Sequence, residues 1–224
     1  MLYLLKGPSY SIHSKPKKLV IMLHGYGDNA ENFIHLANAI DQKSWGAHYI
    51  ALNAPEIIPN YPMGYQWFTL YPNNVYIEDA GPSEVEIVNQ SIINSVKKIE
   101  LTIDYHLRKL GLKMNDCFLL GFSQGGMMAF EFGNNISNSL GGIIILSGQI
   151  LKQDNKNSKT FKDTPIYISH GSKDEVLPIK KFYESIKYLK NNNFNFESHE
   201  LNEDTHTISQ NAIHLLQKFI KKNL

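Results

Sequence analysis

The sequence has one cysteine, no long apolar run and no block of like charges, and each shortage excludes a class of protein. Cys117 has no partner for an intramolecular disulfide and cannot alone supply a cysteine-based metal site. The longest apolar run near the N-terminus, residues 19–23, ends at His24 and is too short for a membrane span or a signal peptide. We therefore expect a cytoplasmic chain with no disulfide and no integral membrane segment.

The charges nearly cancel, because 22 Lys and Arg against 21 Asp and Glu leave a formal net charge of +1. No stretch gathers five like charges, so the basic footprint of a phosphate-backbone binder is missing. The nine histidines form no H-E-x-x-H motif and no paired spacing with carboxylates. We expect no nucleic-acid partner and no metal, and the sequence leaves the oligomeric state open.

What the sequence does have is enough apolar material for one large core. Hydrophobic residues make up 42% of the 224 positions, which is ordinary for a globular protein and far above the level of a disordered chain. No Pro/Ser/Gly-rich linker, internal repeat or low-complexity block divides the chain. We expect a single domain over residues 1–224.

Short apolar runs alternate with longer amphipathic stretches, which predicts an α/β fold with a mostly parallel central sheet and helices on both faces. The candidate strands are residues 19–24, 48–53, 117–122, 142–146, 166–170 and 194–199. The candidate helices are residues 30–40, 83–110, 124–132, 179–189 and 207–221. The long helix has a capping-box pattern at Ser83 and Glu86, and Gly111 ends it.

Residues 54–71 interrupt this alternation with three prolines and several aromatic side chains. A long aromatic loop in a compact domain is usually functional, so we expect this segment to form a pocket wall. Met63, Trp67 and Phe68 are its candidate substrate-binding residues, since their broad apolar surfaces suit a methylene chain. The alternative is that these side chains belong to the core.

Residues 121–125, Gly-Phe-Ser-Gln-Gly, match G-x-S-x-G. An apolar strand candidate ends at Phe122 and a helical pattern starts at Gln124. This strand-turn-helix setting places a nucleophilic serine on a strained, exposed turn. Ser123 is therefore the candidate nucleophile, and the alternative is a glycine-rich junction with an incidental serine.

A serine nucleophile needs a base, and the chain order Ser, Asp or Glu, His places an acid and a histidine after Ser123. Asp174 follows a strand and emerges at the same carboxyl edge of the sheet. Glu175 is more often a solvated charge, and Asp163 precedes its strand and so lies at the opposite end. Asp174 is the predicted acid.

His206 lies in the loop between the last strand and the last helix, again at the carboxyl edge. Its rivals are His199 within a strand and His214 within a helix. Neither lies in a loop that can bring an imidazole over Ser123, and such histidines are more often packed or solvated. His206 is the predicted base.

An oxyanion hole needs one backbone N–H from the residue after the nucleophile and one from a loop after an early strand. Gln124 supplies the first. Tyr26, between Gly25 and Gly27, is the candidate for the second. His24 precedes the nucleophile in the chain, which does not fit a base, and we expect it to hold this loop.

Together these motifs resemble the phospholipase/carboxylesterase family of α/β-hydrolases, which includes the acyl-protein thioesterases. The resemblance rests on LHGYGD at 23–28, GFSQGG at 121–126, LSG at 146–148, HGSKDEVLP at 170–178 and the lone His206 before a C-terminal helix. It implies the α/β-hydrolase fold, a Ser123, Asp174 and His206 triad, and an oxyanion hole from Tyr26 and Gln124.

The resemblance also implies hydrolysis of a small-molecule or lipidic acyl ester or thioester, through an acyl-enzyme intermediate and without a cofactor. The chain departs from the family pattern at Thr69, where an Asp usually follows the Trp-Phe pair, and at residues 203–205, which replace Gly-Met-Gly before the histidine. Two other readings remain: another serine hydrolase on this scaffold, such as a small-ester lipase or a peptidase, and a non-catalytic binding protein.

Overall fold

The structure is a computed structural model that describes residues 3–42, 44–151 and 159–224. The strands in those residues are β1 (Ser9–Tyr10), β2 (Lys18–Leu23), β3 (Ala47–Leu52), β4 (Glu56–Ile58), β5 (Tyr61–Gln66), β6 (Cys117–Phe122), β7 (Gly142–Leu146), β8 (Ile166–Gly171) and β9 (Phe196–Leu201). The α-helices are α1 (Ala30–Phe33), α2 (His35–Ile40), α3 (Pro82–Leu110), α4 (Gln124–Asn135), α5 (Lys159–Asp163), α6 (Ile179–Asn191) and α7 (Gln210–Lys222).

Seven strands form one central sheet in the order β1-β3-β2-β6-β7-β8-β9. Every neighbouring pair is parallel except β1 with β3 at the edge. This confirms the predicted mostly parallel sheet. Because parallel strands share a direction, the loops that follow β2, β6, β8 and β9 all leave from the same edge of the sheet.

The inner strands of the sheet are apolar throughout because both of their faces are buried, as β2 shows. Leu19, Ile21 and Leu23 belong to the core that α3, α4 and α6 cover. Val20 and Met22 belong to the core on the other face, under α1, α2 and α7. A strand buried on both faces reads as a continuous apolar run, as predicted.

The strand predictions hold with small corrections. β6 and β7 have the predicted bounds, whereas β9 begins at Phe196 and not at residue 194. The Phe194 N–H donates to the Leu189 carbonyl at 3.0 Å, so this residue still belongs to the turn that closes α6. The two-residue β1 was not predicted, because so short a strand carries no periodic signal.

The predicted capping box at Ser83 and Glu86 is wrong. Helix α3 starts one residue earlier, with Pro82 in its first turn and Gly81 at the N-cap, and the Ser83 hydroxyl donates to a neighbouring carboxylate. Proline suits a first helical position because its missing N–H would have no partner there. The predicted stop at Gly111 is confirmed by its left-handed conformation, with φ of 69°.

The other helices differ from prediction mainly at their ends. The predicted helix 30–40 divides at Ile34, where the Ala37 N–H donates to the Ile34 carbonyl at 2.9 Å and tightens the turn. Helix α7 begins after Ser209, whose hydroxyl accepts from the Ala212 N–H at 3.2 Å. Helices α4 and α6 continue beyond their predicted ends, and α5 was not predicted.

Residues 54–71 are not one continuous loop, because β4 and β5 form a separate antiparallel hairpin within them. Pro62 lies inside β5, which a two-stranded ribbon tolerates because one side of each strand needs no partner. The long loop expected over residues 54–71 is therefore wrong where these two strands lie. The hairpin is joined to the nucleophile region through hydrogen bonds described below.

Candidate active site

Ser123 occupies the turn between β6 and α4. Its φ of 53° and ψ of −118° lie where side-chain-bearing residues are rarely found. The Ser123 N–H donates to the Leu146 carbonyl at 2.8 Å, and the Ser123 carbonyl accepts from the Gly126 N–H at 2.9 Å. The strained turn is thus held from both sides, which is the setting predicted for the candidate nucleophile.

The glycines around Ser123 are required by close backbone approaches. A Cβ on Gly121 would lie 2.1 Å from the Gly125 carbonyl oxygen, and a Cβ on Gly125 would lie 2.0 Å from the Leu23 carbonyl oxygen. Both distances are far below van der Waals contact. The start of α4 can therefore pack against β6 and β2 only with glycine at these two positions.

Asp174, in the loop after β8, has a nearly buried carboxylate with donors on both oxygens. Its Oδ1 accepts from the backbone N–H groups of Val176 at 2.9 Å and Leu177 at 2.8 Å. Its Oδ2 lies 2.7 Å from His206 Nδ1 and 3.2 Å from His170 Nε2. A carboxylate with this many donors is held in one orientation.

His206, in the loop between β9 and α7, has a fixed ring orientation. An ionised Asp174 only accepts hydrogen bonds, so the 2.7 Å contact assigns a proton to His206 Nδ1 and leaves Nε2 able to accept one. The ring also packs on Phe122, with 4.8 Å between centroids. The pair can therefore take up a proton at Nε2, as a general base must.

A cavity of about 280 Å³ opens beside Ser123, and His206, Tyr26 and Gln124 also line it. Most of its remaining wall is apolar and consists of Phe68, Leu70, Ile77, Phe122, Met127, Leu151, Val176 and Leu177. The predicted nucleophile, base and oxyanion residues thus meet at one cavity. Its wall suits an apolar substrate group.

Tyr26 and Gln124, the two predicted oxyanion residues, both line this cavity. Gln124 is the first residue of α4, where backbone N–H groups have no partner within the helix. Tyr26 lies in a turn whose next residue, Gly27, donates its N–H to the Tyr65 carbonyl at 3.0 Å. The Asp28 carbonyl accepts from the Tyr65 N–H at 3.0 Å, so strand β5 holds this turn.

The Gln124 side chain has a structural role that the sequence motifs do not predict. It is buried, and it accepts from the Trp67 N–H and donates to the Phe68 carbonyl, each at 2.8 Å. The segment after β5 is thereby tied to the first residue of α4. A polar residue at the start of an apolar helix was the only signal in the sequence.

Of the three residues predicted to bind substrate, only Phe68 lines the cavity. Trp67 is fully buried, and its indole N–H donates to the His24 carbonyl at 2.9 Å. Met63 is 70% exposed in the β4–β5 hairpin. The two departures have different causes: the hairpin leaves residue 63 on its exposed side, and hydrogen bonds to Gln124 and His24 hold residue 67 in the core. The expected core alternative therefore applies to Trp67.

His24 holds the loop after β2, as predicted. Its Nδ1 lies 2.7 Å from the Gly25 carbonyl, and its Nε2 accepts from the Ala54 N–H at 3.1 Å. Burial lowers the pKa of this imidazole, against the opposing effects of the Gly25 carbonyl and nearby carboxylates. The ring is therefore neutral and committed to two backbone contacts.

The rival acids and bases lie away from the cavity. Asp163 ends α5 before β8, and Glu175 is exposed. His199 Nε2 contacts the Glu197 carboxylate at 2.7 Å on β9, and His214 is exposed on α7. Asp174 contacts His206, whereas none of these four residues lines the cavity beside Ser123.

Over residues 3–42, 44–151 and 159–224, no three His, Cys, Asp or Glu side chains lie close enough together to hold a metal ion. Among the helices there, none combines the length and apolar character needed to cross a bilayer.

A sequence profile of the phospholipase/carboxylesterase family matches residues 10–224. Acyl-protein thioesterase 1 of Saccharomyces cerevisiae is 30% identical over 223 residues, which cover 93% of each chain.

Among solved structures, esterase PE8 superposes with a TM-score of 0.83 at 24% identity, covering 99% of this chain and 100% of that one. SOBER1 of Arabidopsis thaliana superposes with a TM-score of 0.78 at 21% identity, covering 92% and 98% of the two chains. At these identities the superpositions show the fold alone.

Proposed function

This chain is a hydrolase that belongs to the phospholipase/carboxylesterase family, and we propose that it cleaves carboxylic esters or thioesters with a Ser123, His206 and Asp174 triad. The observation that carries this proposal is the 2.7 Å contact between His206 Nδ1 and Asp174 Oδ2 beside the cavity that Ser123 lines. A neutral serine becomes an effective nucleophile only when such an oriented base removes its proton.

In the first half of the reaction, Ser123 Oγ attacks the acyl carbonyl carbon while His206 Nε2 takes the hydroxyl proton. Asp174 holds the ring and stabilises the imidazolium that forms. The carbonyl oxygen becomes an oxyanion, which the backbone N–H groups of Tyr26 and Gln124 stabilise. When the tetrahedral intermediate collapses, His206 returns the proton to the departing alcohol or thiol, and the acyl group remains on Ser123.

In the second half, water replaces the leaving group. His206 Nε2 takes a proton from the water, whose oxygen attacks the acyl-enzyme carbonyl carbon. The second tetrahedral intermediate then releases the carboxylic acid, and the proton on His206 returns to Ser123 Oγ. The net reaction consumes one water and needs no metal or redox partner.

The apolar wall supports an acyl substrate in preference to a peptide. Phe68, Leu70, Ile77, Met127 and Leu151 offer hydrocarbon surface, and each methylene buried there is worth up to about 0.8 kcal/mol. We infer that kcat/KM rises a fewfold with each added carbon until the cavity of about 280 Å³ is full.

Ser123→Ala tests the proposal directly. We expect loss of fluorophosphonate labelling and a fall in ester turnover of order 10⁴-fold or more, because triad members act as a unit. Ser137→Ala is the matched control, since Ser137 is exposed and does not line the cavity. It should label and turn over like the unmodified protein.

A panel of acyl esters, matched thioesters and peptides separates the remaining readings. Hydrolysis of the peptides alone would assign a peptidase. Labelling without turnover of any acyl substrate would contradict an ester or thioester hydrolase. A Ser123→Ala protein that keeps a tenth of the turnover would remove Ser123 from the proposed triad.

A further inference from the structure

His170 is a second histidine on the carboxylate of Asp174. It is the penultimate residue of β8, and its side chain is completely buried. Its Nε2 lies 2.7 Å from the Leu177 carbonyl oxygen and 3.2 Å from Asp174 Oδ2. The ring therefore spans the start and the end of the loop that carries Asp174.

The surroundings of His170 determine which nitrogen carries the proton. Two acceptor oxygens face Nε2, so this atom must be protonated and donate to them. Nδ1 is buried and makes no hydrogen bond of good geometry in the described part of the chain, although the Gly148 backbone lies near the ring. Burial lowers the pKa of His170 and outweighs the opposing effects of the Leu177 carbonyl, Asp174 and the Gly148 carbonyl, so the ring is neutral and Nδ1 is its unprotonated nitrogen.

The electrostatic effects of side chains on the His170 ring come from Asp174 and His206. Asp174 comes from its own loop and His206 from the loop after β9. Helix α6 presents the apolar Phe182 ring, with 5.7 Å between its centroid and that of the imidazole. The Lys173–Glu203 ion pair joins the same two loops, but both side chains are more than half exposed and screened by water.

We propose that His170 is a positioning residue, which fixes the carboxylate of Asp174 and reduces its basicity toward His206. The inference rests on the proposed function, because it assigns His170 a role through the triad. The His170 ring touches neither the cavity nor Ser123 and makes no bond to substrate. Its Nε2–H supplies a second donor to Oδ2, the oxygen that already accepts from His206.

The physical effect follows from sharing one oxygen between two donors. A hydrogen bond to a carboxylate stabilises its negative charge and weakens its hold on any other proton donor. Without the His170 donor, Oδ2 would stabilise the His206 imidazolium more strongly. The acid limb of kcat/KM would therefore move to higher pH.

Three variants separate this role from simple packing. His170→Gln keeps an amide donor near the position of Nε2, while His170→Met fills similar space without a donor. His170→Asn is a second donor-deficient variant, because its shorter amide stops near the position of Nδ1. Turnover of a soluble acyl ester is measured from pH 5 to 9, with the folded fraction of each protein measured separately.

We expect the acid limb to move up by about half to one pH unit in His170→Met and His170→Asn. We also expect kcat to fall about ten- to a hundredfold, because a looser Asp174 misaligns His206. KM should change little, and His170→Gln should recover most of both effects.

An acid limb unchanged in the folded fraction of both donor-deficient variants would overturn the proposal and leave His170 as packing. Equal effects in the Gln and Met variants would also overturn it, because they would show that the donor does not matter. Failure of the proposed function looks different: the unmodified protein would then show neither fluorophosphonate labelling nor a limb to compare.

Discussion

Two carboxyl side chains are buried among the residues that the structure describes, and their surroundings are opposite. Asp174 is 6% exposed and has donors from two backbone N–H groups and two histidines. Glu131, in the middle of α4, is 1% exposed, and neither of its oxygens has a hydrogen-bond partner among the described residues. One site is arranged for a charge, and the other is not.

The difference shows how this fold deals with buried acids. Donors around Asp174 replace the water that the carboxylate loses on burial, so its charge can act on His206. Glu131 has no such replacement, and burial raises its pKa to about 8. Glu131 therefore folds with a proton and is neutral at pH 7, which is the less costly way to bury an unpaired acid.

Asp174→Asn replaces the carboxylate of the comparison by a neutral amide and has the largest expected effect on activity. An amide can present its N–H₂ to His206 Nδ1 and so favours the wrong tautomer, with the proton on Nε2. We expect kcat to fall by about 10⁴-fold while the protein stays folded. Steady-state kinetics on an acyl ester measure the loss.

Asp163→Asn and Glu175→Gln are the matched controls, because both residues are acids outside the cavity. Each should stay within about twofold of the unmodified rate, as expected for surface charges. A large loss in either one, with Asp174→Asn nearly active, would transfer the proposed acid role to that residue.

Gly171→Ala keeps the Asp174 carboxylate but changes the geometry around it, so it separates the effect of position from the effect of charge. A Cβ at residue 171 would lie 2.3 Å from the Asp204 carbonyl oxygen and 2.5 Å from that of Thr205, so the His206 loop must shift. We expect kcat to fall about ten- to a hundredfold, because displacements near 1 Å carry such losses.

Gly81→Ala is the control, since its added Cβ would meet only the end of the flexible Glu84 side chain, at 3.1 Å. Fluorophosphonate labelling rates should follow kcat in both variants. Gly171→Ala with an unchanged labelling rate would mean that the two loops can separate without moving His206 from Asp174.

The sequence could predict Asp174 and His206 because their evidence is local. Asp174 follows a strong apolar strand and His206 lies between the last strand and the last helix, so parallel topology brings both loops to one edge of the sheet. The same reasoning located Ser123 between a strand and a helix. His170 could not be assigned this way, since a histidine inside a buried strand looks like packing until its distances to Asp174 and Leu177 are known.

Sequence patterns predict neither the β4–β5 hairpin nor the burial of Glu131. Residues 54–71 have prolines and aromatic side chains but no clear period, so neither the β4–β5 pairing nor the inward turn of Trp67 was predictable. Glu131 is one acid among apolar neighbours on α4. Periodicity places it on a helix, but only packing decides whether the helix side that it occupies reaches solvent.

Glu131→Gln tests the uncharged member of the comparison and has the smallest expected effect, on stability and not on activity. Glutamine resembles protonated glutamic acid in size and charge, so the variant should match the unmodified protein near pH 5. At pH 9 we expect it to be more stable by about 2–4 kcal/mol, since each unit of pKa shift is worth about 1.4 kcal/mol. Urea unfolding from pH 5 to 9 measures this difference.

The direction follows from where Glu131 holds its proton. The folded-state pKa of about 8 lies above the unfolded value of about 4.5, so between these limits the folded state binds more protons. Stability therefore falls as pH rises through this window and levels off above pH 8, and Glu131→Gln lacks this component. Glu100→Gln, on the exposed side of α3, should retain it. Parallel stability curves for the unmodified protein and Glu131→Gln would mean that Glu131 is ionised in the folded state, and the contrast with Asp174 would fail.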